Sequence, residues 1–393
     1  MNDEFLPALL LTSDRGSFAY NTLKVRIPRI LRDTIEANDF PPDVVRNLEA
    51  LYTELTTGRI QPLRENAADV ADWNRLSAPH LGRSWLGVPW YWAEAYFYRR
   101  LLEATGYFQP GPLHGIDPFA TTKRREWAPD VAPAAVARLL ANLDEGHDVQ
   151  FEQLLHASLW GNRTDLSYMV AAHLGATTRP DQERENLLVD DSAAVLRHLF
   201  DREGGKVGII TDNAGTELLM DVALTDFLLR TDFASEVHLH LKPQPFYVSD
   251  AMIPDLAEGT DALIAAGGLA GRLGRRTDGH VVAGALKPKT HPFYCMPLFF
   301  HDMPADLRAS LSELDLVIVK GDANYRRLVG DLYWPPTASF RELTAYFPAP
   351  LVALRTFKSE VAVGLAPGQA ERAAAEDPQW LVNGKRGVIQ ARL

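Results

Sequence analysis

Apolar positions along the chain follow two different periods. Over the first 200 residues they recur at helical spacing. Leu23, Val25, Ile27, Ile30, Leu31 and Ile35 do so within 18–38, and Val44, Val45, Leu48, Leu51 and Leu55 within 41–57. A period of three to four predicts amphipathic helices. Pro28 marks a kink or a junction in the first, and Pro41-Pro42 opens the second. Residues 90–104, Trp-Tyr-Trp-Ala-Glu-Ala-Tyr-Phe-Tyr-Arg-Arg-Leu-Leu-Glu-Ala, predict a strongly aromatic helix. Further helices are expected over 129–142, 149–159 and 192–202.

Beyond Gly204-Gly205 the texture changes. Short apolar runs at 206–211, 236–241, 314–320 and 350–354 alternate with helical stretches such as 216–230. Runs this short, bounded by turn residues, read as strands buried on both faces of a mainly parallel sheet. The expected architecture is therefore α/β. Residues 1–200 are expected to form a mostly helical N-terminal domain and residues 201–393 a three-layer α/β/α domain with a mainly parallel sheet. Polar residues gather where the strands end: Asp212-Asn213, Asp250, Gly321-Asp322 and the segment Arg355 to Lys358. Open α/β sheets bind ligands at the carboxyl ends of their strands.

Composition narrows the partners. The 393 residues carry 40 Lys+Arg against 51 Asp+Glu, a net charge of −11. Such a chain lacks the broad cationic surface that attracts phosphate backbones, which argues against nucleic acid. Cys295 is the single cysteine, excluding an intrachain disulfide and any multi-cysteine zinc or iron–sulfur site. No apolar run approaches the roughly 18 residues that cross a bilayer. The acidic opening Met1-Asn2-Asp3-Glu4 has the wrong charge for a secretory leader. A soluble, cytoplasmic protein is expected.

Three oxygen-bearing side chains stand out. Asp212 and Asn213 sit between a buried strand and a helix, where first-turn N–H groups favour an anionic ligand. Asp250 closes the next strand unit and is placed to enter the same crevice. Taken singly, each is an ordinary helix cap or turn residue. Together they make a hard oxygen site suited to Mg²⁺ or Mn²⁺. The run from Lys320 to Arg327 adds Gly321, which lets a group approach the backbone, and the polar Asp322 and Asn324; an ordinary strand-to-helix turn explains it equally well. Lys358, past the fourth strand, can pair with a phosphoryl group as a point charge. Ser158 to Ser167 forms a polar knot, read either as a flap over the sheet edge or as a buried corner. His238 and His240 share a strand face but lack a third ligand at a convincing spacing. The glycine-rich stretch 267–274 matches neither the dinucleotide nor the Walker pattern. Cys295, in an apolar setting, reads as an inert buried thiol.

In combination these motifs resemble the damage-control phosphatase family. The resemblance rests on Leu159-Trp-Gly-Asn-Arg-Thr-Asp-Leu-Ser167, Thr211-Asp-Asn-Ala-Gly-Thr-Glu-Leu218, Lys320-Gly-Asp-Ala-Asn-Tyr-Arg-Arg-Leu328 and Arg355-Thr-Phe-Lys358. It extends upstream to Tyr20–Pro28 and Pro89–Arg100, and so covers most of the chain. The Arg-Thr-x-Lys element is similar to that of the sugar-phosphate phosphatase branch, whose members have also been called acidic-residue methyltransferases. This resemblance implies a divalent metal, Mn²⁺ or Mg²⁺ with Co²⁺ or Ni²⁺ as further choices, held by Asp212, Asn213 and Asp250. It implies Glu217 near the substrate, Gly321, Asp322, Ala323, Asn324 and Tyr325 lining it, and Lys358 on the phosphate. The segment 262–280 departs from the family pattern by its glycine content.

The expected activity is thus metal-dependent hydrolysis of sugar phosphates or related phosphometabolites, with either a water oriented or deprotonated by Asp250 or Asp322, or a carboxylate itself, as the nucleophile. Two alternatives stand beside it. One is an S-adenosylmethionine-dependent protein carboxyl methyltransferase, against which the Asp-Asn-Ala-Gly turn offers no glycine pair for a cofactor pocket. The other is a non-catalytic binder of anionic metabolites.

Overall fold

The computed structural model describes residues 6–161 and 185–393. Seven strands form one sheet: β1 (Leu187–Asp190), β2 (Gly205–Ile210), β3 (Ala234–Leu241), β4 (Leu286–Thr290), β5 (Leu316–Lys320), β6 (Leu351–Thr356) and β7 (Gly387–Arg392). Their order across the sheet is β1-β7-β6-β5-β2-β3-β4. All neighbours run parallel except β6 and β7, so β7 and its partner β1 point against the other five. The α/β class expected from the sequence is the one observed.

Alternation of side chains along each strand divides the sheet between two cores. Val317, Val319, Leu351 and Ala353 pack with the N-terminal helices, among them Pro42–Thr56 and Trp90–Thr105. Leu316, Ile318, Val352 and Leu354 face the helices Ala132–Ala141, His147–Trp160 and Thr216–Arg230. The last of these is buried from Thr216 to Leu228 on every side, as a central helix must be when covered by its neighbours. Helical backbone runs unbroken from Phe18 to Ala37, and Pro28 falls inside it: a five-residue π-turn, Thr22–Arg26, lies immediately upstream, and the proline's missing N–H removes one bond of the regular ladder.

The aromatic helix Trp90–Thr105 is fastened to the segment after β5 by a fully buried arginine. Arg326 donates from Nε and Nη2 to the two oxygens of Asp331, each at 2.8 Å, and from Nη1 to Glu94 Oε2 at 2.7 Å. Its guanidinium lies 3.4 Å from the Trp90 ring centroid. Glu94 and Trp90 belong to the aromatic helix, so this cluster fixes how that helix sits above the strand ends. Among the described residues, no helix is long and apolar enough to cross a membrane.

Candidate active site

The connection from β2 to β3 runs through Thr216–Arg230 on one face, and that from β5 to β6 through Asp322–Val329 on the other. Chains leaving β2 and β5, which are neighbours, therefore part in opposite directions. A crevice must open between their carboxyl ends. Asp212 follows β2 and Gly321 follows β5.

Asp250 reaches this crevice by a route the sequence did not suggest. β3 ends at Leu241, and a loop carries the chain back so that Asn213 and Asp250 form an antiparallel bridge. Ala214 N–H donates to Ser249 O at 2.7 Å and Ala251 N–H to Asp212 O at 2.8 Å. Directly opposed residues project to the same face, which brings Asn213 and Asp250 side by side. Just before Asp250, Val248 has φ +67° and Ser249 N–H returns to Tyr247 O at 2.7 Å. This is a γ-turn with a β-branched residue in the left-handed region, a strained arrangement. Lys123 clamps the far side, donating to Asp250 O at 2.8 Å and Asp255 Oδ2 at 2.9 Å.

Hydrogen bonds fix the orientation of every donor in the group. Asn213 Nδ2 donates to Asp212 Oδ2 at 2.8 Å and to Glu217 Oε2 at 2.9 Å, while its Oδ1 accepts from Ser249 Oγ at 2.5 Å. Two carboxylates on the amide nitrogen leave one sensible assignment of that amide. Glu217 also takes Lys320 Nζ at 2.9 Å, and Lys320 is held further by Asp221 Oδ1 and Ser158 O, both at 2.7 Å. Glu217 is thus a buried strut for Asn213. Lys242 pairs with Asp250 Oδ2 at 2.9 Å.

The charges explain the electrostatics. Burial, Glu217 and Asp250 together push the Asp212 carboxyl well above its ordinary range, against Lys242 and Lys358. Asp250 is also raised, by burial first, with Lys242 and Lys123 opposing. A half-enclosed group of carboxylates that disfavour one another's charge is the donor set a dication satisfies. Asp212, Asn213 and Asp250 fit such an ion.

The expected substrate-lining run divides. Gly321 has φ +85°, and a Cβ there would fall 2.1–2.5 Å from the Asp212 carboxylate. Ala323 is half-buried at the first turn of Asp322–Val329. Asn324 turns inward, donating to Thr211 O at 3.2 Å and Lys320 O at 2.9 Å, and Tyr325 bonds Gln390 Oε1 at 2.7 Å while stacking on Phe340. Asp322 faces the loop after β6. Its Oδ1 accepts from Arg355 Nε at 2.8 Å, Lys358 N–H at 3.1 Å and Ser359 Oγ at 2.9 Å. Burial opposes its ionisation, but Arg355, Arg326 and the hydrogen bonds from Lys358 N–H and Ser359 together outweigh burial and hold the carboxyl low. Through Oδ1, Asp322 therefore positions the Lys358 loop.

One expectation needs correction. The N-terminus of Thr216–Arg230 is not free for an anion, because Glu126 Oε2 accepts from Thr216 Oγ1 at 2.9 Å and Thr216 N–H at 3.4 Å. A carboxylate already satisfies that helix end. Glu126, Lys242 and Lys123 were not singled out in the sequence; each reaches the site across the fold, and no local spacing announces them. Asn162, Arg163 and Asp165 of the polar knot lie outside the described residues. Gly161, at its start, abuts Glu217, since a Cβ would stand 2.9 Å from Glu217 Cα. His238 and His240 are buried within the sheet, and Cys295 is buried with its thiol pushed up to about 12.

Comparison with known proteins gives the family. A family model described as the damage-control phosphatase ARMT1-like domain matches residues 22–373. Proteins named damage-control phosphatase ARMT1 are similar over 98% of this chain: 33% identical in Danio rerio, over 96% of that protein, and 32% in Homo sapiens, over 98%. The one from Xenopus laevis is 34% identical, over 98% of both chains. A crystal structure of a DUF89 family protein from Pyrococcus horikoshii superposes with a TM-score of 0.52 at 15% identity, covering 95% of this chain and 98% of that one. That likeness concerns the fold alone.

Proposed function

The chain belongs to the damage-control phosphatase family, and from that premise we propose that it hydrolyses sugar phosphates, fructose phosphates among them, at the β2–β5 crevice. The enzyme is a metal-dependent phosphatase of metabolite damage control, acting on small phosphorylated substrates. The observation that carries the siting is the convergence of Asp212, Asn213 and Asp250 at the point where the chain's crossovers diverge.

Asp212, Asn213 and Asp250 are the residues we assign to the dication, Mn²⁺ or Mg²⁺ by the hardness of their oxygens. When bound, it supplies Lewis-acid polarisation of a phosphoryl oxygen. Lys358, close enough to bias the Asp212 carboxyl, holds the phosphoryl group electrostatically. First-turn N–H groups of Asp322–Val329 have no intrahelical acceptor and can share that charge. With Asp322 occupied by the Lys358 loop, Asp250 is the carboxylate we assign to orienting the attacking water. Glu217 and Lys320 keep Asn213 in register throughout.

A phosphate-release panel of fructose, glucose and ribose phosphates, run with Mn²⁺, Mg²⁺, Co²⁺, Ni²⁺ and a chelator, tests this reading. Release that needs a dication and disappears in Asp212→Ala supports it. Undiminished turnover in Asp212→Ala would overturn it, as would S-adenosylmethionine-dependent methyl transfer by a chain that releases no phosphate.

A further inference from the structure

A second group of metal-type donors lies away from the crevice. Glu152 and His156 are four residues apart on His147–Trp160, and so share one face of that helix. Asp190 ends the edge strand β1. One ligand atom from each of the three lies within 4.8 Å of the others. Four strand spacings, roughly 19 Å, separate β1 from β2, so this group and the Asp212 cluster cannot share an ion.

His156 is the informative member. It is 8% exposed, and its Nε2 is buried without a hydrogen-bond partner. The atom aims at Asp190 Oδ2 but stops 3.7 Å short, too far for a hydrogen bond. Ser192 meanwhile holds the other Asp190 oxygen through both its hydroxyl and its N–H. That grip turns Oδ2 toward the imidazole. A buried ring nitrogen facing a carboxylate across such a gap is costly unless something accepts its lone pair.

We propose that Glu152, His156 and Asp190 form a second cation site, distinct from the phosphatase crevice, for a borderline transition dication of the zinc type. One imidazole and two carboxylates are a mixed nitrogen–oxygen set that zinc takes readily and that calcium and magnesium do not favour. Two carboxylates also balance the ion's charge. Donors around a tetrahedral zinc stand roughly 3.4 Å apart, so binding draws the three side chains inward by about 1 Å. Asp190 is exposed at the end of its strand, which leaves an entry path for an ion. The site ties edge strand β1 to the helix that runs into Gly161.

Zinc titration of the full-length chain decides the matter. In an Asp212→Asn background, which separates the result from whatever binds in the crevice, zinc is expected to bind at one equivalent and to raise Tm. Adding Glu152→Gln and Asp190→Asn is expected to weaken that binding at least 100-fold and to abolish the Tm shift. In the wild-type chain, zinc is expected to move the His156 imidazole ¹⁵N resonances, a readout independent of any variant. Zinc affinity unchanged by Glu152→Gln and Asp190→Asn, or His156 resonances that stay still on saturation, would mean a plain histidine–carboxylate pair and overturn the proposal.

Discussion

Asp212 and Gly321 stand at the ends of adjacent parallel strands, and the Asp212 carboxylate occupies the space where a Cβ on residue 321 would be. The contact distances of 2.1–2.5 Å for that imagined atom leave no side chain that fits, and φ +85° disfavours one in any case. Gly321→Ala must therefore push Asp212 out of register with Asn213 and Asp250, or shift the β5 end. Displacements near 1 Å in a reacting centre cost about 100-fold in rate. We expect kcat/KM for phosphate release to fall by about that factor while the circular-dichroism spectrum stays native. Wild-type turnover in Gly321→Ala would show that the working site does not use this contact.

Asp212 itself is held against its charge preference. Burial and the carboxylates of Glu217 and Asp250 raise its carboxyl, so the metal-free fold carries an electrostatic penalty there. Asp212→Asn removes the charge yet keeps an oxygen for Asn213 Nδ2. In chelator-treated protein this variant is expected to unfold at a higher temperature, by about 2 °C if the relief is near 1 kcal/mol. Phosphate release is expected to drop by about 1,000-fold or more, a stability gain opposed to activity. A variant less stable than wild type without metal would contradict the charge argument.

Much of this arrangement was visible in the chain before the fold. Strands β2, β3, β5 and β6 fall where the apolar runs predicted them, because strands buried on both faces are rich in Val, Ile and Leu. Helix Thr216–Arg230 matches its predicted span. β1, β4 and β7 were not legible. Lys287-Pro288-Lys289 in β4 carries the charge and proline of a protected edge, and β1 is only Leu187–Asp190. Asp250 was placed at a strand end, yet it arrives through a loop and a γ-turn that no periodicity encodes. Asp322 was legible as a polar residue at a strand end, but polarity alone does not reveal that its Oδ1 anchors Arg355, Lys358 and Ser359 from a distant segment.

His240 gives the acid limb of stability. It is buried beside Tyr294, whose hydroxyl lies 2.9 Å from Nδ1. Burial, with His238, Lys289 and His291 nearby, lowers its pKa from 6.5 to about 3. The unfolded chain binds a proton at this residue below 6.5 that the fold refuses until about 3. Stability contributed here is therefore whole above pH 6.5 and falls as the solution is acidified, by up to about 1.4 kcal/mol per pH unit. Denaturant midpoints between pH 4 and pH 7 should show this slope, and His240→Gln should flatten it. An unchanged slope would assign the acid sensitivity to other groups.

Asp322 acts, by its contacts, through Lys358. Its Oδ1 takes the Lys358 N–H as well as Arg355 and Ser359, so it shapes the turn from which the lysine side chain leaves. Lys358→Met removes the cation and is expected to lower kcat/KM about 100-fold, in the range seen when one charge-stabilising donor is lost. Asp322→Ala leaves the lysine in place on a loosened loop, with Arg355 buried and short of its carboxylate. Its effect should be about 10-fold, mostly in KM, together with a clear loss of stability from the uncompensated guanidinium. The decisive comparison is the double variant. If Asp322 works by presenting Lys358, then once the ammonium is gone the second substitution costs almost nothing further in kcat/KM, although the stability loss persists. Fully multiplicative rate effects would show that Asp322 touches the reaction by a path of its own.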